Sequence, residues 1–181
     1  MLKNKFMLSQ SLRNNIPQAS LTIALSLVIA FLFRGTTSLI AAMIIPVILF
    51  LFMYSFRLLD YLIISMALIF LTLVFITTQV VFMLLYTILG FSLRLLIKQK
   101  KQINTFIRIL IYFFVVTASL FIGIFLTEVI FSIPLHTFML KVSKNSALVY
   151  FLILSVESLI ITMAHLLIVK NLRKYVIGVT S

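Results

Sequence analysis

Only three carboxylates stand in this 181-residue chain, Asp60, Glu128 and Glu157, against fifteen Lys and Arg residues. What each can do depends on its depth within long apolar runs. Glu157 is the eleventh residue of a 23-residue apolar stretch from Ala147 to Val169, close to its middle. If that stretch crosses a bilayer, an ionised carboxylate there costs several kcal/mol unless it is compensated. No Lys or Arg is expected at the same depth. The group is therefore held neutral, hydrogen-bonded to other segments, or faced with a cavity where water, a proton or a cationic substrate compensates it. Ser155, Ser158, Thr162 and His165 recur at i, i+3, i+7 and i+10 of the same stretch, a polar stripe along one helical face. Glu157 lies about 100° round from Ser158. A helix this polar faces a bundle interior, so Glu157, Ser155 and Ser158 are substrate-binding candidates, while His165 reads as a hydrogen-bonded packing residue.

The remaining polar groups lie near segment ends. Glu128, His136 and Lys141 gather around one connection and are candidates for a ligand entrance. Asp60 follows Arg57 by three residues, the spacing of a local ion pair on one helical face. Catalytic signatures are missing: there is no Gly-rich phosphate loop, HExxH, GxSxG or acidic metal cluster, so neither an enzyme nor a metal or cofactor site is expected. The absence of cysteine excludes disulfides and thiolate chemistry.

The elements that would position these residues are long apolar helices. Hydrophobic residues make up 64% of the chain and charged residues 10%, too few to cover the exterior of a soluble domain. The expected fold class is all-α, a polytopic membrane bundle of six transmembrane helices. A crossing needs about 20 apolar residues, and spans are expected at 17–33, 38–56, 58–76, 80–97, 106–126 and 147–169. Thr77-Thr78-Gln79 divides a run that is too long for one crossing. Residues 1–16 form a basic cytoplasmic segment, either a short interfacial helix with Leu8, Leu12 and Ile16 on one face or a disordered tail. Residues 170–181 form a basic cytoplasmic tail.

Charge placement tests that division. Six spans put Lys3, Lys5, Arg13, Arg57, Arg94, Lys98, Lys100, Lys101, Arg108, Lys170, Arg173 and Lys174 on one side, leaving Arg34, Lys141 and Lys144 opposite. By the positive-inside rule this is a cell-membrane protein, N-in and C-in. The basic residues flank apolar runs and do not form a nucleic-acid surface, so nucleic acid is not an expected partner. Lys98, Lys100 and Lys101 are placed to meet anionic lipid headgroups or a protein partner. Small residues are a further signal. Ser20/Ala24 and Ser26/Ala30 in the first span and Ser119, Gly123 and Thr127 in the fifth form small-residue faces that either pack within the chain or dock a partner's helices, with Ser20, Ala24, Ser26 and Ala30 the partner-docking candidates. Residues 132–146 form either a cap that dips into the headgroups or a loop packed on neighbouring helix ends.

This layout resembles the substrate-binding S components of energy-coupling-factor transporters and their bacterial relatives. The likeness rests on six spans in about 180 residues, Pro46 in the second span, the Ser55-Phe56-Arg57 turn, and Gly90 followed by Arg94 and the Lys98-Gln99-Lys100-Lys101 connector. Ala24 and Ala30 are six residues apart, where that family shows four-residue spacing, and the chain has no Trp. The resemblance implies a membrane subunit that binds a small molecule and works with a transmembrane coupling subunit and ATPases. The alternative is a structural or regulatory multi-span subunit of a cell-envelope or signalling complex.

Overall fold

In the computed structural model the backbone is described for residues 2–33, 39–98 and 104–178, and side chains for 16–33, 39–97, 104 and 106–172. The described residues form seven helices and no strand: α1 (Leu2–Leu32), α2 (Leu39–Met53), α3 (Leu58–Phe75), α4 (Val80–Lys98), α5 (Thr105–Phe131), α6 (Leu135–Val142) and α7 (Ala147–Gly178), with a 3-10 turn at Thr77–Gln79. Four helices, α3, α4, α5 and α7, are long and apolar enough to cross a membrane. The apolar part of α1, Ile16–Leu32, and all of α2 are shorter. At 1.5 Å per residue the 15 residues of α2 reach only about 22 Å.

Position in the bundle explains how so short a helix is accommodated. α2 packs against α1, α4 and α7, while α4 packs against α2, α3 and α5. These two helices form the centre, and nine of the α2 residues are buried. A helix sheathed by protein need not match the hydrocarbon thickness by its own length. The outer helices are polarised in the sense opposite to a water-soluble bundle. On α3, Asp60, Tyr61, Ser65 and Thr72 are buried, while Leu62, Met66, Phe70 and Val74 are exposed. Polar groups inside and large apolar side chains outside are compatible with a multi-pass membrane protein.

The connections explain several boundaries. α3 stops without Gly or Pro: the Ile76 N–H bonds back to the Thr72 carbonyl, the Thr77 hydroxyl donates to the Leu73 carbonyl, and the Gln79 N–H reaches the Ile76 carbonyl. α5 begins at Asn104, whose side-chain oxygen accepts from the Phe106 N–H. It ends at Ser132, which adopts the left-handed conformation (φ 55°). Pro17 neither begins nor breaks α1, which runs through it from Leu2 as one helix. Residues 132–146 contain a two-turn helix, α6, packed on α5 and α7 through buried Leu135 and Met139.

Candidate functional site

The candidate site is built from α5, α6 and α7 at the end of the bundle carrying the short helix. Tyr112 touches His165 and Phe121 touches Tyr150, contacts that set α5 and α7 side by side and antiparallel. Tyr150 and Glu157 are seven residues apart on α7, so they share a face. Glu157 is half-buried, and among the described residues it has no hydrogen-bond or ion-pair partner. Tyr150 is only 2% exposed, its hydroxyl has no hydrogen-bond partner among the described residues, and it lies in the field of both the Glu157 and Glu128 carboxylates. Its ring belongs to an aromatic cluster with His136, Phe121 and Phe151, at centroid separations of 5.6, 6.3 and 5.5 Å. Tyr150 did not stand out in the sequence, where it reads as one more aromatic residue at the head of an apolar run.

The other candidates separate by role. Glu128 reaches from α5 to the first turn of α6, accepting from the Thr137 N–H at 2.8 Å and the Thr137 hydroxyl at 2.6 Å. A carboxylate on the free N–H groups of a helix start satisfies them directly and suits the local dipole. In this conformation Glu128 braces α6. His136 packs edge-on against Phe121 and Phe125, and Lys141 is exposed. Ser158 is fully buried, with its hydroxyl donating to the Leu154 carbonyl, whereas Ser155 is half-buried. Sequence spacing thus brought together one buried face, Ser158, Thr162 and His165, on which the Thr162 hydroxyl has no hydrogen-bond partner among the described residues, as is the case for the Tyr150 hydroxyl.

His165 is 0% exposed and bridges three helices. Its Nε2 lies 3.0 Å from the Ala42 carbonyl of α2 and its Nδ1 2.6 Å from the Tyr112 hydroxyl of α5. A carbonyl only accepts, so Nε2 carries the proton and Nδ1 accepts from Tyr112. The Ala42 carbonyl needs this donor because Pro46, four residues on, has no N–H to give it. Pro46 and His165 are therefore a donor–acceptor repair read across 119 residues of sequence, whose visible signal was the proline in an apolar helix.

A second polar contact ties the opposite end. Arg94 is 5% exposed, donates to the Phe56 carbonyl and lies 5.8 Å from the centre of the Tyr61 ring. The Tyr61 hydroxyl donates to the Thr87 carbonyl at 2.7 Å. Arg94 is therefore a buried clamp on the α2–α3 turn, not a solvated end charge. Asp60 is buried beside this region, while Arg57 is exposed.

In α1, Ser26 and Ala30 are buried with Thr22 on the face turned into the bundle, which leaves them unavailable to a docking partner. Ser20 and Ala24, on the other face, are exposed. Lys100 and Lys101 lie outside the described residues, as does the side chain of Lys98. Two clefts are described: one between α4 and α5 around Arg108, and an apolar one between α1 and α3. Glu157 lines neither. Compared with known proteins, the chain matches no family model, no curated protein and no solved structure.

Proposed function

We infer that the protein is a six-span membrane subunit, both ends cytoplasmic, that binds a small cationic molecule beside Glu157 and hands it to a separate coupling protein and ATPases for uptake. Glu157 carries this reading: a half-buried carboxylate without a partner among the described residues, on one face with a buried, unpartnered tyrosine hydroxyl. Within a bilayer such a carboxylate is costly, and a bound cation would offset that cost. The Tyr150 ring and its aromatic neighbours offer faces of negative potential to the same charge. The chain has no phosphate-binding loop, so energised uptake would rest on ATPases in other subunits.

A structural or regulatory subunit is the second reading. It is favoured by the engagement of Glu128, Ser158 and His165 in bonds within the chain. A thermal-shift series on the purified protein, using primary and quaternary amines, decides between them. Under the uptake reading one amine class stabilises the native chain and Glu157→Gln abolishes that shift while keeping the ligand-free melting temperature. Equal responses of the native chain and the Glu157→Gln variant to every amine would sink that reading.

A further inference from the structure

The cleft between α4 and α5 has a volume of about 220 Å³ and is lined by Ser92, Leu95, Leu96, Arg108, Ile111, Tyr112 and Val115. It is smaller than a pocket enclosing a whole drug-sized ligand. Leu95 and Ile111 at its rim are exposed, so it opens on the apolar outer face of the bundle. Among the described residues Arg108 is the one charged group in its lining. Its Nε is buried and has no hydrogen-bond partner among them. None of the three carboxylates of the chain lines the cleft, so they supply no counter-charge there.

Arg108 also sits where a cation is least expected. It is the fourth residue of α5, within the first turn, where the helix dipole presents positive potential. An anion in the cleft would be drawn by the guanidinium, the charged group among the described lining residues. The Tyr112 hydroxyl is already spent on His165, which leaves its ring as a wall.

We propose that this cleft is a binding site for the phosphate of an anionic phospholipid, with Arg108 holding the headgroup and an acyl chain lying along Leu95, Ile111 and Val115. A charged head beside an apolar, outward-opening wall matches an amphiphile better than a free ion. The proposal is independent of what occupies Glu157.

The test is native mass spectrometry of the full chain in detergent, titrated with phosphatidylglycerol, phosphatidylcholine or inorganic phosphate. One phosphatidylglycerol is expected to survive collisional activation, and phosphatidylcholine is expected to leave earlier. Arg108→Gln should weaken that adduct about fivefold, the order expected for one basic residue at a lipid surface, and Arg108→Lys should keep part of it. Ile111→Trp, which fills the rim and leaves the guanidinium in place, should displace the lipid as well and covers the case in which Arg108→Gln misfolds. Lys170→Gln, an exposed cation elsewhere, should change nothing. Unchanged phosphatidylglycerol retention in both Arg108→Gln and Ile111→Trp overturns the proposal. Competition by millimolar inorganic phosphate, or equal retention of phosphatidylcholine, overturns the anionic-lipid assignment.

Discussion

At the residue scale, the bond from His165 to Ala42 shows how a helix defect becomes a tertiary contact. Proline at position 46 removes a donor, and an imidazole from α7 returns one. Replacing His165 by Phe keeps the bulk but strands the Ala42 carbonyl and the Tyr112 hydroxyl, and should lower stability by about 1–3 kcal/mol. Pro46→Ala restores the N–H that the Ala42 carbonyl lacks. In a double-mutant cycle, measured by unfolding in detergent, His165→Phe should then cost less in the Pro46→Ala background, with a coupling of about 1 kcal/mol. Additive effects would mean that the bond from His165 to the Ala42 carbonyl does not make up for the missing Pro46 donor, leaving the imidazole its bond to Tyr112 and its packing. Arg94 makes the same general point. In sequence it is a charge near the end of an apolar run, and only the Phe56 carbonyl at the tertiary turn reveals why it is buried.

At the element scale, two glycines govern how closely helices approach, and they should respond differently to a methyl group. A Cβ on Gly90 would stand 2.9 Å from the Leu49 Cβ and 3.1 Å from the Pro46 carbonyl oxygen, atoms fixed to the α2 backbone. A Cβ on Gly123 would meet the Leu85 Cδ1 at 2.8 Å and the Phe82 ring at 2.9 Å, the movable ends of side chains. Gly90→Ala should therefore push α2 and α4 apart at a cost of about 1–3 kcal/mol. Gly123→Ala should be near neutral, because the ring can turn and alanine gains about 1 kcal/mol of helix propensity. Melting temperatures of the two variants give the comparison, and equal losses would refute this ranking. Glu128→Ala should loosen α6 by removing both of its Thr137 bonds, raising amide exchange across residues 135–142, whereas Glu128→Gln keeps an acceptor and most of the protection. The helices were legible because apolar runs and basic punctuation mark them directly. Their caps were not, since the partner of α6 lies nine residues upstream on another helix and nothing local announces it. Of the site, the buried face of α7 followed from 3.6-residue periodicity. That Glu157 and Tyr150 share a face also follows from that period, but the enclosure of the tyrosine hydroxyl needed the packing of α5 and α6.

At the scale of the whole molecule, four helices have the length to cross a bilayer unaided, while α2 and the apolar part of α1 fall short. Whether these two also cross decides on which side the N-terminus lies relative to the later connectors. With α1 and α2 both crossing, residues around Gln99 share a side with the C-terminal tail, and Lys144 faces the other compartment. If α1 alone failed to cross, the N-terminus would move to the opposite compartment from Gln99; if neither crossed, the later connectors would still alternate. The N-terminal segment is thus the discriminating probe. The chain has no cysteine, so single cysteines can be introduced without removing a background. Asn4→Cys, Gln99→Cys and Thr180→Cys should resist a membrane-impermeant maleimide in intact cells and react after permeabilisation, whereas Lys144→Cys should react in both. The cationic connectors give the physical reason, because they are retained on the cytoplasmic side as the helices insert. Labelling of Asn4→Cys from outside, with Gln99→Cys protected, would reduce the crossings ahead of α3 to an odd number. That outcome would strip one short helix of its span while leaving Glu157 between the same two compartments.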